Sequence, residues 1–231
     1  MKLFISVLVS LYSVAAIAAP ADDLLKKADE VRNPAATYKM KLNVTTSSSD
    51  QEFEVFLKGP TKTLVIIKSP AKDRGRNMLM LDRDFEAYIP NLKKSVRLSL
   101  AQKMSGEVAN GDIARTRWYG DYKPVIEKVD GTETVLFLDG LKPMLTYQKL
   151  RLWVETKTGR PKKAEFLGLD GKTVLKRATY LDYKMVEGAL RPMNLKIEDV
   201  TGKSSLIKIL SMEKTDLPDS LFTVQSLEKV R

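Results

Sequence analysis

The sequence predicts a mainly β fold with a few helices, built as one antiparallel meander that forms a strongly curved, twisted sheet. Three observations lead there. Apolar and polar residues alternate along most of the chain from Tyr38 onward. Six turn pairs (Asp130-Gly131, Asp139-Gly140, Thr158-Gly159, Asp170-Gly171, Glu187-Gly188 and Thr201-Gly202) punctuate the second half. Several segments between them are longer than an average strand, which suits a bent sheet better than a compact sandwich.

The chain opens MKLFISVLVSLYSVAAIAAPADD. Lys2, an apolar run from Leu3 and the small-residue stretch at Ala16-Ile17-Ala18 are laid out like a secretory signal peptide. Proline directly after a scissile bond is poorly tolerated, so cleavage is expected after Ala18, with residues 1–18 as the leader and 19–231 as a single domain. An uncleaved anchor is the alternative reading, since the run is about the minimum that spans a bilayer. Its Ala-rich end favours cleavage. No other stretch is apolar enough to cross a membrane, so a soluble mature protein is expected, in the periplasm of a Gram-negative bacterium.

The 231 residues include neither cysteine nor histidine. Disulfides and a lipobox cysteine are therefore excluded, and roughly 210 mature residues must rely on a hydrophobic core. Cys/His zinc sites, Ser-His-Asp and Cys-His machinery, and His-ligated haem each lose an indispensable part. No cofactor is expected, and any catalysis would need carboxylates, Lys, Tyr or oxygen-ligated metals. The formal charge of +10 favours anionic partners, although basic residues also serve as the solvated face of β-proteins. Secretion argues against nucleic acid.

In chain order, ADDLLKKADEVRNP over 21–34 reads as a helix. Leu24, Leu25, Ala28 and Val31 follow helical spacing, Asp22 or Asp23 can cap it, and Asn33-Pro34 stops it. Tyr38, Met40, Leu42 and Val44, then Phe53, Val55 and Leu57, alternate as strands. TLVIIKS, NMLMLD and EAYIP follow, each bounded by Pro, Gly or Asp. Residues 93–123 interrupt the rhythm and read as a strand end, a long loop and one or two short helices. Loops of that length are usually functional or mobile. Within them GDIARTRWYGDY (111–122) interleaves arginines with aromatics, a pattern able to stack bases, cap an apolar groove or anchor a loop.

Three features carry no chemistry on their own. DGKT at 170–173 lacks the upstream glycine of a phosphate loop, which is Phe166, and reads as a hairpin turn. Asn43-Val44-Thr45 matters only in a eukaryotic secretory pathway. Asp82, Asp84 and Glu86 alternate along a strand and could share one face; such carboxylates can do acid/base work or bind Ca²⁺, but solvated strand charges are far commoner.

The order of parts resembles the periplasmic outer-membrane lipoprotein-sorting proteins, the LolA-like group within the LolA/LolB/RseB fold. The residues that carry the likeness are Glu86-Ala87-Tyr88-Ile89-Pro90, the loop into GDIARTRWYGDY, and the closing Leu217-Pro218-Asp219-Ser220-Leu221-Phe222-Thr223 with Leu227-Glu228-Lys229. Relatives often show Trp-X-Tyr-X-Pro in the strand. Here Glu86 stands in the Trp place, so only Tyr88 and Pro90 carry over. The strand-rich second half looks closer to a branch associated with exporter-type permeases.

The resemblance implies an incomplete, half-open β-barrel whose concave face is covered by helices. It implies a carrier, not an enzyme, that shelters acyl chains in an apolar hollow and takes lipoprotein or lipid cargo from an inner-membrane transporter (ABC-type or exporter-type permease) to an outer-membrane acceptor, as a monomer. An RseB-like sensor that regulates a membrane partner is the alternative. The expected lining is Met78, Met80, Tyr88, Met104, Trp118, Tyr119, Met144 and Met193, since flexible thioethers and amphipathic rings suit such a space. Arg115 and Arg117 are expected at its rim, facing a headgroup or partner. Whether Trp118 and Tyr119 cover cargo or plug the barrel stays open at this level.

Overall fold

A computed structural model describes residues 18–229 except residue 35. The leader expected over 1–18 thus lies outside the described residues, apart from Ala18. The first helix, α1 (Ala18–Arg32), buries Ala21, Leu24, Leu25 and Ala28 and turns its charged residues between them to solvent. It starts before the expected caps: Asp22 and Asp23 sit exposed inside it. Pro20 is compatible with that start because the N–H groups of a first turn have no partner within the helix. Val31 is only half-buried, and the Asn33 N–H donates to the Asp29 carbonyl at 2.6 Å to close the last turn.

Strands follow as the alternation predicts: β1 (Tyr38–Thr45), β2 (Asp50–Lys58), β3 (Lys62–Ser69), β4 (Met78–Leu81), β5 (Asp84–Ile89) and β6 (Lys94–Arg97). The interruption holds a two-stranded hairpin that the sequence did not suggest, β7 (Lys103–Ser105) with β8 (Val108–Ala109), then the short helix α2 (Asn110–Ala114). The meander resumes as β9 (Tyr122–Asp130), β10 (Glu133–Gly140), β11 (Lys149–Glu155), β12 (Pro161–Leu167), β13 (Val174–Val186), β14 (Ala189–Asp199) and β15 (Ser204–Lys214). Five of the six turn pairs join consecutive strands. The exception is Asp139-Gly140, which ends β10 and leaves the reversal to residues 141–148.

Thirteen strands make one sheet in the order β6-β5-β4-β3-β2-β1-β15-β14-β13-β12-β11-β10-β9. Every pairing between these strands is antiparallel. All neighbours but one are consecutive in the sheet, and the exception joins β1 to β15, from Tyr38 opposite Lys214 to Thr45 opposite Leu206. The sheet is open, curved and not closed into a barrel. Register shifts at Lys41/Leu42, Val135/Leu136 and Trp153/Val154 are bulges of the kind that bend strands.

This order has a topological consequence. The two edge strands, β6 and β9, flank the interruption, so residues 98–121 must carry the chain from one edge of the sheet to the other. They do so across the inner face, where Leu100, Val108, Ile113, Ala114 and Trp118 are buried in the main core. Helix α1 lies on the same side, against β9, β12 and β14. The outer face carries a smaller cluster in which Leu64, Ile66 and Leu79 meet Leu217, Phe222 and Leu227 from the C-terminal segment, which ends in α3 (Val224–Lys229). TLVIIKS is a continuous apolar run because β3 is covered on both faces. Among the described residues no helix is long and apolar enough to cross a membrane.

Candidate functional site

The site forms where α1 and the crossing segment close over the inner face. Asp29 and Arg32 lie on the apolar side of α1, at helical spacing from Leu25, and hold the two covers together. The Asp29 carboxylate accepts the backbone N–H groups of Trp118 and Tyr119 at 2.9 and 3.0 Å and pairs with Arg32 at 2.9 Å. Burial raises the Asp29 pKa against the opposing pull of Arg32 and those two N–H groups. The Arg32 guanidinium donates to the Thr116 carbonyl and stacks 3.7 Å over the Trp118 ring. Asn33 donates to the Arg115 carbonyl at 2.7 Å.

Beneath these contacts is a cavity of about 60 Å³ of water-accessible room, enough for a few waters. Its wall is largely aromatic and aliphatic: Trp118, Tyr122, Tyr147, Phe166, Tyr180 and Ile207. Tyr147 stacks on Phe166 at 3.8 Å, and Trp118 meets Tyr180 edge-on at 6.0 Å. Two of the tyrosines are satisfied. Tyr122 Oη donates to the Tyr147 carbonyl, and Tyr147 Oη donates to Asp112 at 3.0 Å. Asp112 also accepts the Ala109 N–H at 2.8 Å, and its burial raises its pKa.

Arg115 lines this cavity instead of its rim. It takes the left-handed conformation (φ 58°) that ends α2, where glycine would be free of strain. The residue is half-buried, and part of its surface faces the cavity. Burial and the neighbouring charge of Arg32 pull its pKa down to about 9, so it stays charged at neutral pH.

A second cavity of about 210 Å³ lies under the start of the crossing segment, lined by Met78, Met104, Ile67, Ala87 and Leu98. Met78 and Met104 therefore face free space on the inner side. Met80 is buried in the same core, and Met193 is buried beside Pro192 and Asn194 without lining either cavity. Trp118 lines the first cavity and is 5% exposed.

The remaining expected residues lie elsewhere. Tyr88 sits on the outer face, packed on the C-terminal cluster, its hydroxyl 3.3 Å from Glu228. Met78 and Met80 stand opposite Ala87 and Phe85, so a strand period of two turns Tyr88 away from them. Met144 is 64% exposed in the 141–148 connection, and Tyr119 is 46% exposed, its backbone alone held by Asp29. Arg117 is neutralised by Asp82 and Asp121, each at 3.2 Å. Asp84 pairs with Arg97 at 2.6 Å, and among the described residues no acidic cluster is arranged to hold a metal.

Sequence reasoning missed Asp29, Arg32, Asp112, Tyr147, Tyr180 and Asn194. One signal was available: Asp29 and Arg32 break the apolar stripe of an otherwise regular amphipathic helix. Tyr147 and Asn194 reach the site through strand pairing and left no local mark.

Comparisons place this geometry among known proteins. A family model described as an uncharacterized protein matches residues 59–229. No curated protein matches the chain. The chain is similar to the crystal structure of a LolA superfamily protein from Nitrosomonas europaea, at 36% identity and TM-score 0.80, over 88% of this chain and 97% of that one. It is also similar to an outer membrane lipoprotein-sorting protein domain from Vibrio parahaemolyticus (21% identity, TM-score 0.77, 91% and 99% coverage). A DUF1329 family protein from Desulfovibrio piger shares the fold at 18% identity and TM-score 0.76, over 91% and 99%.

Proposed function

The chain belongs to the LolA superfamily, and from that premise we propose that it is a periplasmic, non-enzymatic carrier of lipoprotein or another acylated lipid, residues 19–231 forming its single carrier domain. It shelters acyl chains between the inner face of the sheet and the covers, takes cargo from an inner-membrane transporter and delivers it towards the outer membrane. The observation that carries this reading is the pair of partly unfilled spaces beneath α1 and residues 98–121, walled by Trp118, Phe166, Met78 and Met104. Each buried methylene gains about 0.8 kcal/mol over water, so a sheltered chain is held by many kcal/mol.

The two spaces are smaller than the roughly 300–1,000 Å³ of ordinary ligand pockets, so the described conformation is closed and loading needs the covers to lift. They are the elements suited to it. Their hold on one another runs through the polar contacts of Asp29, Arg32 and Asn33, the stacking of Arg32 on Trp118 and a shared apolar core, whereas the sheet is laced by continuous backbone ladders.

The test is native mass spectrometry and lipid extraction of the protein purified from its own periplasm. Stoichiometric lipid or acylated peptide is the expected result. A reproducibly empty protein that instead captures the ectodomain of a membrane protein would replace the carrier with a regulator.

A further inference from the structure

Arg115 is a half-buried cation with no ion-pair partner of its own among the described residues. The nearby charges are otherwise accounted for. Arg32 is paired with Asp29 at 2.9 Å. Arg191 donates to the Glu30 and Val31 carbonyls at the end of α1. Asp112 is held by Ala109 and Tyr147 and faces Lys176 across the wall. Arg115 makes no ion pair or side-chain hydrogen bond among the described residues, and its Nε is buried without a partner. The side chain of Asn194 lines the same cavity with its Oδ1 buried and unpartnered. Tyr180 Oη, also in that wall, makes no hydrogen bond although both neighbouring tyrosines do.

Burying polar groups without partners is costly, and a buried cation without an anion is costlier still. Two of these groups, the Arg115 guanidinium and Tyr180 Oη, can donate into one cavity, and the first is positively charged, so together they describe a vacant coordination shell for an anion, whereas Asn194 Oδ1 accepts only and contributes nothing to it. We propose that the hollow binds the single anionic group of an amphiphile, a carboxylate or a phosphate, between Arg115 and Tyr180. The acyl chain would extend along the aromatic wall. This assignment rests on the carrier reading and narrows it, because the ligand's charged end enters the hollow with the chain instead of staying in water. Charge-assisted hydrogen bonds of this kind are about twice as strong as neutral ones. The carboxylate of Asp112 in the same wall opposes an anion and favours one negative charge over two.

The test uses lipid-stripped mature protein and titration calorimetry with palmitate, palmitoyl lysophosphatidate, neutral palmitoylglycerol and inorganic phosphate. At least one of the acidic amphiphiles should bind about tenfold or more tightly than palmitoylglycerol, and which one does so identifies the group. Arg115→Gln should erase that preference while leaving palmitoylglycerol affinity unchanged, and Arg115→Lys should keep part of it. Unliganded Arg115→Gln should melt no lower than wild type, which a purely structural arginine would not allow. If Arg115→Gln does not fold, Tyr180→Phe carries the test: selective weakening of the acidic probes supports the anionic site, and unchanged selectivity overturns it. Equal binding of acidic and neutral amphiphiles overturns the anionic site and leaves the carrier standing. Binding of inorganic phosphate alone, or of no probe, overturns both.

Discussion

Trp118 and Tyr119 are neighbours with opposite fates. Trp118 is buried against Arg32 and Tyr180, whereas Tyr119 is 46% exposed, with Lys26 5.9 Å from its ring. Trp118→Ala should therefore cost about 3–5 kcal/mol in chemical denaturation, and Tyr119→Ala should stay within about 0.5 kcal/mol. If Tyr119→Ala nevertheless slows cargo transfer between vesicles, its ring meets cargo or a partner. Equal destabilisation by both would contradict the described burial. Asp29 yields a prediction in pH. Burial raises its folded pKa, so its contribution to stability is fully present below the unfolded pKa and falls as pH rises through the folded one. The stability of wild type minus Asp29→Asn should then shrink as pH rises above the ordinary Asp value of about 4. A difference that grows over that range would mean Arg32 and the two backbone donors outweigh burial.

At the scale of elements, α2 is set against the 141–148 connection with no room to spare. A Cβ at Gly111 would lie 1.8 Å from Thr146 Oγ1 and 2.9 Å from Thr146 Cβ. Gly111→Ala should cost at least about 1–3 kcal/mol by overpacking. Adding Thr146→Ala should recover part of the loss, because Oγ1 and Cγ2 are removed while the Thr146 Cβ contact at 2.9 Å remains. Strict additivity of the two substitutions in a denaturation cycle would show that the contact is not made. The same contact explains why a glycine opens GDIARTRWYGDY.

Across the whole molecule, β1 paired with β15 places the two ends of the domain in the middle of the sheet and its two edges at the ends of one connection. That connection and α1 form the cover, and the sheet forms the rigid body. Backbone amides of 98–121 and α1 should exchange hydrogen faster than those of β14 and β15, and palmitate should change exchange in the covers while leaving the central strands unmoved. Uniform protection would contradict an opening cover and leave the hollow closed to acyl chains.

The strands were legible because alternation with a period of two, broken by Gly and Pro turns, is a local property of the chain. Helix α1 was legible for the same reason in its own period. Its buried Asp29-Arg32 pair was visible only as an irregularity. The resemblance carried by the Tyr88-Pro90 strand and the closing Phe222-Thr223 segment led to the right superfamily, yet Tyr88 itself points away from the hollow. Local pattern says that a strand has two faces and is silent on which one is covered. That choice follows from the joining of β1 to β15, the crossing of 98–121 over one face and the packing of α3 on the other. Each of these brings together residues far apart in the chain. The meeting of Arg115 with Tyr180 at one cavity is the same kind of fact, since its energetics depend on a neighbour 65 positions away.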